Sequence, residues 1–213
     1  MHPHEPAIKN HSDFYHHKPH TLSDRLGYGF VKTAVFFANL FFRERYGHRA
    51  IVLETIAAIP GMVGGLFQHM KSLRHIRDDK GWIKALLSEA ENERMHLMVY
   101  VHIARPTTFE RFLIIIIQVF FYTFYFLIYL ISERTAHRLV GYLEEEAVRS
   151  YTHYLEQLDA HPQKNILAPE IAIEYWNLAP TARLRDVVIA TRKDEMLHRD
   201  TNHSLADKID HRG

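Results

Sequence analysis

A pattern that occurs twice constrains this chain more than anything else in it. "NERMH", Asn92 to His96, and "DEMLH", Asp194 to His198, both read (Asn/Asp)-Glu-x-x-His within stretches of helical periodicity. On a helix of 3.6 residues per turn, positions three apart lie about 60° apart, so Glu and His at that spacing can reach one common point. Each copy follows, by some forty to fifty residues, a glutamate in an apolar helical segment: Glu54 in "IVLETIAAIP" and Glu144 in "VGYLEEEAV". A single Glu-x-x-His is commonly a solvated pair. Two copies, each behind a glutamate set among Ile, Leu and Ala, are not solvated faces.

The order Glu, Glu-x-x-His, Glu, Glu-x-x-His fits a four-helix bundle in which all six side chains project inward around two metal ions, the ferritin-like arrangement. Four carboxylates and two neutral imidazoles balance two divalent cations, which makes burying that much charge tolerable. Carboxylate-rich sites with one nitrogen per metal suit iron or manganese better than zinc, and the donor set admits both. Spacing does not choose among Glu144, Glu145 and Glu146. Ligand imidazoles need their second ring nitrogen held, and Asn92 and Asp194, one turn before their histidines, are candidates.

Strand signals are scarce, so the chain reads as all-α. A first helix is expected from Ser23-Asp24 to Gly47. A second should run from Arg49 to Arg77, bent or closely approached at Pro60, Gly61, Gly64 and Gly65. A third follows Asp78-Asp79 and stops before Pro106, a fourth covers Phe112 to Ile131, and a fifth starts near Ser132. Between Pro162 and Pro180 there is room for one short helix, "PEIAIEYW", and a last helix begins near Thr181. Residues 1–20, rich in histidine (His2, His4, His11, His16, His17, His20), read as a flexible arm, 21–206 as one domain, and 207–213 as a tail.

With 26 basic against 25 acidic residues there is no electrostatic case for a nucleic-acid partner. The absence of cysteine excludes disulfides, thiolate metal sites and a thiol nucleophile. The start shows neither a secretory signal nor an organelle transit peptide, so the expectation is a protein used where it is made, in a prokaryote.

The run "FLIIIIQVFFYTFYFLIYLI" is long enough to cross a bilayer. A single crossing would put Glu93 and His96 on the opposite side from Glu144 and His198, across roughly 30 Å of hydrocarbon. Two metals in one centre stand only about 3.5–4 Å apart. The consistent arrangement is monotopic: this helix and "VKTAVFFANLFF" form an apolar plateau at the membrane surface. Arg43, Arg45, Arg105, Arg111, Arg134 and Arg138 flank it.

Taken together, "LETIAAIPGMVGG", "EAENERMHLM", "GYLEEEAV", "RKDEMLH" and "YWNL" resemble the alternative oxidases, the cyanide-insensitive di-iron quinol oxidases, from about Thr21 to Ala206. The resemblance implies two irons held by Glu54, Glu93, His96, Glu144, Glu195 and His198, selecting Glu144 from the triplet. It implies oxidation of two ubiquinols, or other quinols, and reduction of O2 to water at a membrane surface, without proton pumping. It makes Tyr151, two turns after Glu144, an electron or radical donor, and gives Glu146 or Asp194 a part in proton movement. A quinol pocket would draw on Arg49, Leu53, Leu143, Glu146 and Ala147, and His137 and Tyr175 also fall on family positions. A homodimer on the cytoplasmic face of a bacterial inner membrane is expected. The cysteine through which plant members are switched is absent, as is the long targeting region of mitochondrial ones, and Leu197 stands at a position often polar in relatives. A di-iron hydroxylase of a quinone precursor and a ferritin-like iron store are the competing readings.

Overall fold

A computed structural model describes residues 15–43 and 45–210. His2, His4 and His11 of the histidine-rich start, and the last three residues of the expected tail, lie outside it. The described residues fold into helices α1 (Leu22–Phe42), α2 (Tyr46–His75), α3 (Trp82–Ala104), α4 (Thr108–Ile131), α5 (Glu133–Ala160), α6 (Glu170–Trp176) and α7 (Leu184–Asp210). One isolated bridge, Leu167 with Arg183, is their only β pairing.

Capping chemistry sets the ends. Thr21, rather than Ser23-Asp24, caps α1: its hydroxyl accepts from Asp24 N at 3.1 Å, and the Asp24 carboxylate accepts from Thr21 N at 3.0 Å. Thr107 and Glu110 form the same reciprocal box on α4. That helix therefore starts four residues before the apolar run that marks it in the sequence, because a cap is built from polar residues hydropathy passes over. Ser132 caps α5 as expected. α1 stops at Phe42, short of Gly47, where Arg43 turns to φ +50°. α7 continues past residue 206 to Asp210, and Asp207 accepts from Arg138.

α2 pairs with α3, and α5 with α7. Both pairs are antiparallel: Gly61 faces Leu86 and Ala90 while Gly47 faces Ala104, and His137 meets Asn202 while Arg192 meets Thr152. α2 stays helical through Pro60, and at Gly61 a Cβ would lie 2.3 Å from the Leu86 carbonyl oxygen, so α3 can come this close only to a glycine. α4 is the long crossover between α3 and α5, and α1 lies along α5. This is the ferritin-like four-helix bundle with two added apolar helices.

Only 17% of the most apolar stretch of α4 is buried, so Phe112, Ile116, Phe120, Leu127 and Leu130 face outward. α1 exposes Phe36, Phe37, Leu40 and Phe41, and Phe30 stacks on Phe124 of α4 with ring centres 4.3 Å apart. The second helix long and apolar enough to span a bilayer is α2 rather than α1, and 56% of its stretch is buried because it is a core helix. Of the expected flanking arginines, Arg138 is buried instead, bonded to His203 and Asp207, and Arg45 is paired with Glu110.

Candidate metal centre

α2 contributes Glu54, α3 Glu93 and His96, α5 Glu144, and α7 Glu195 and His198, and all six are buried. Their donor atoms form two overlapping groups. Glu54, Glu93, His96 and Glu195 lie within 4.8 Å of one another, as do Glu93, Glu144, Glu195 and His198. The two Glu-x-x-His glutamates belong to both groups, while Glu54 with His96 and Glu144 with His198 complete one each. That is a donor layout with two shared carboxylates and two ends. His96 Nδ1 stands 3.3 Å from Glu54 Oε2 and 3.1 Å from Glu195 Oε1, and His198 Nδ1 stands 2.5 Å from Glu93 Oε1.

The electrostatics fit cations between these groups. Both Glu93 oxygens, Glu195 Oε1 and His198 Nδ1 are buried, and although imidazole and carboxylate atoms lie close together they meet at angles that make no hydrogen bond, which is costly unless something else pairs them. Burial and the neighbouring Glu195 and Glu93 raise the Glu54 and Glu144 carboxyls well above the usual range. Burial works to lower both imidazoles, and Glu93 outweighs it, holding His96 and His198 well above theirs. Without metal, protons on these groups supply the missing positive charge. Two divalent ions would replace them, and the oxygen-rich donor set suits iron or manganese.

Of the glutamate triplet only Glu144 enters the cluster, because successive residues point about 100° apart around α5. Glu145 turns to His203 Nε2 at 3.0 Å and His16 Nδ1 at 2.6 Å. Glu146 turns to Lys32 Nζ at 2.7 Å and to Arg149. The Tyr151 hydroxyl, buried over Tyr100, donates to Glu54 Oε1.

The partners of the ring nitrogens differ from those the spacing suggested. Asp194 Oδ2 meets His96 Nε2 at 3.1 Å, on the other motif's histidine rather than on His198 one turn along its own helix. Asn92 contacts neither imidazole; its amide donates to Asp194 at 3.1 Å and to the Tyr175 hydroxyl at 2.7 Å. α3 and α7 run antiparallel, so a side chain one turn before a ligand meets the facing helix. Trp176, which the motif reading did not single out, donates to Asp194 at 2.8 Å and stacks on His96 at 5.5 Å. The only sign of it in the sequence is its place in "YWNL". His137 bonds Asn202 and Tyr129 rather than a cluster side chain.

An apolar cavity of about 310 Å³ lies between α1, α2, α4 and α5. Arg49, Leu53, Leu143 and Glu146 line it with Phe41 and Ile117, and the Arg49 guanidinium donates to Asn39. Ala147, expected there, is not among the lining residues; it is buried in the bundle instead. Leu53 and Leu143 directly precede Glu54 and Glu144, so the cavity wall and the cluster are two sides of the same helix turns.

Known proteins share this arrangement in sequence. Residues 5–207 match the family profile described as alternative oxidase. The mitochondrial ubiquinol oxidase of Batrachochytrium dendrobatidis is 54% identical over 194 residues, covering 91% of this chain and 61% of that protein. Ubiquinol oxidase 1a of Arabidopsis thaliana is 55% identical over 192 residues, 90% of this chain and 54% of the relative. The chain thus spans little more than half the length of the curated relatives it matches. With a profile match over nearly every residue and identities above one half, the chain belongs to the alternative oxidase family.

Proposed function

We propose that the protein is a non-electrogenic ubiquinol oxidase, oxidising two quinols and reducing O2 to two waters at a membrane surface. The reading covers a single domain, residues 21–206, with 1–20 as an arm. The proposed metal is iron, held by Glu54, Glu93, His96, Glu144, Glu195 and His198; when bound, it supplies electron storage and a Lewis-acidic seat for oxygen. One observation carries the reading. An apolar cavity lined by Arg49, Leu53, Leu143 and Glu146 shares its walls with the two outward-facing apolar helices, and Leu53 and Leu143 are the chain neighbours of the cluster's Glu54 and Glu144. A lipid-borne quinol could enter there without crossing water.

In this scheme Arg49 orients the quinol head and Glu146 accepts a quinol proton. Tyr151 passes an electron to the centre in this scheme, a role its hydrogen bond to Glu54 supports. Asp194 fixes the His96 ring, with Trp176 and Asn92 holding Asp194 in turn. Buried Leu and Tyr side chains keep water from the centre. A quinone-precursor hydroxylase would use the same donors and is separated by product, and an iron store would not need the apolar cavity.

α1 and α4 are the proposed membrane-facing surface, on the cytoplasmic face of a bacterial inner membrane. Met62, Leu66, Met70 and Leu73 on α2, with Leu87 and Met98 on α3, leave an exposed apolar stripe suited to a homodimer. The experiment is oxygen uptake by proteoliposomes supplied with a reduced short-chain ubiquinol and cyanide. Cyanide-resistant uptake with quinol consumed and no oxygenated product is expected. An oxygenated quinone, or no uptake by metal-loaded protein, would overturn the assignment.

A further inference from the structure

The two imidazoles of the cluster are not held alike. His96 has Asp194 on its Nε2, whereas no carboxylate meets the Nε2 of His198 among the described residues. What holds the α7 turn of His198 is an amide. One turn further along α7, the buried Asn202 donates from Nδ2 to the His198 carbonyl oxygen at 3.0 Å, and to Glu89 of α3 at 2.8 Å and 3.0 Å. On its other side, Asn202 Oδ1 lies 3.0 Å from His137 Nδ1 of α5. His137 Nε2 lies 3.3 Å from the Tyr129 hydroxyl, which receives the Gln68 amide at 3.2 Å.

The polarity of this chain follows from its ends. A backbone carbonyl only accepts, so the NH2 of Asn202 must face the His198 carbonyl and, beside it, Glu89, and its oxygen must face His137. His137 Nδ1 must then carry the proton, which leaves Nε2 as the acceptor for the Tyr129 hydroxyl. Tyr129 can in turn accept from Gln68. Every donor points inward, from α2 through α4 and α5 to α7 and α3, with one consistent orientation. The reverse amide would set its oxygen against the His198 carbonyl oxygen. Full burial also works against a charged His137 and keeps it neutral.

We propose that His137 and Asn202 are positioning residues for His198: a one-way chain of donors fixes the Asn202 amide, and that amide pins the α7 turn carrying the imidazole. The proposal rests on His198 being a metal ligand. It assigns His137 the neutral Nδ1–H form and gives Glu89, outside the ligand set, the task of anchoring α7 to α3.

Two measurements test it. In protein labelled with 15N at histidine, the ring shifts of wild-type His137 should report Nδ1–H; an Nε2–H or cationic ring would overturn the proposal whatever any variant does. The second is anaerobic Fe2+ titration of wild type, His137→Phe and His137→Asn, with helicity and metal-free melting monitored alongside. His137→Phe should weaken binding at one of two sites about 10- to 100-fold, the usual effect of losing an outer-shell partner. His137→Asn keeps a donor at the Nδ1 position and should restore affinity to within about threefold. Unaltered affinity in His137→Phe, or equal weakening in both folded variants, would mean the ring serves only packing. Wild type that binds no Fe2+ would instead refute the metal centre itself.

Discussion

Gly61→Ala is the substitution whose effect follows most directly from the helix spacing. A Cβ there would stand 2.3 Å from Leu86 O, 2.9 Å from Ala90 Cβ and 3.0 Å from Ala90 N. Two of these obstacles are backbone, so no side chain can swing aside, and α2 must draw away from α3 by roughly 1 Å to restore ordinary contact. Overpacking of this kind costs about 3 kcal/mol at its upper range. The better helix propensity of alanine returns about 1 kcal/mol. The net loss of about 2 kcal/mol should lower the melting temperature of a chain this size by about 4–8 °C. Glu54 lies two turns before Gly61 on α2, and Glu93 follows Ala90 on α3, so the same displacement parts two donors of the cluster. Fe2+ affinity should fall at least about tenfold and turnover on the order of a hundredfold. The assay is thermal unfolding of metal-free protein followed by anaerobic Fe2+ titration. Gly29→Ala, exposed on α1 with no neighbour within 4 Å, is the control and should stabilise by about 1 kcal/mol. A Gly61→Ala protein as stable as that control and binding iron as wild type does would refute the close-approach argument.

Tyr151→Phe should retain both metals and lose at least about tenfold in turnover, as measured by metal analysis beside quinol-dependent oxygen uptake; full activity would remove the hydroxyl from the electron path. Arg49→Leu should raise KM for quinol by about 10- to 100-fold, the worth of a charged hydrogen bond in a dry pocket, with metal content unchanged. The metal-free protein should melt at lower temperature as pH rises above 6.5, the ordinary histidine value. There the folded chain keeps protons on His96, His198, Glu54 and Glu144 that the unfolded chain has lost. Metal must displace those protons, so Fe2+ affinity should rise over the same range; a metal-free melting curve flat with pH would show the cluster is not proton-compensated.

Much of the candidate site was legible because its logic is local. Two side chains three apart on one helix meet one point wherever the helix lies, and four such elements in order imply a bundle. The helices were legible too, apart from ends set by the capping boxes of Thr21 and Thr107. What the sequence hid depends on which helix faces which. The i,i+4 spacing placed Asp194 on His198, yet the antiparallel packing of α3 against α7 gave it to His96. Trp176 comes from a short helix in a proline-rich connection and reaches Asp194 through tertiary packing. Glu89, in the charged string "EAENE", looks like surface and is buried beneath Asn202, where its carboxyl rises to about 7. Arg138 looked like a membrane flank and is enclosed between α5 and α7.

The most direct trial of the whole account is a count of metal ions per chain in protein purified anaerobically with Fe2+, for wild type and Glu93→Ala. If α2, α3, α5 and α7 close around a pair of cations sharing Glu93, wild type should carry two irons and the variant fewer than one. Wild type holding no stoichiometric iron, or a variant that keeps both, would contradict it.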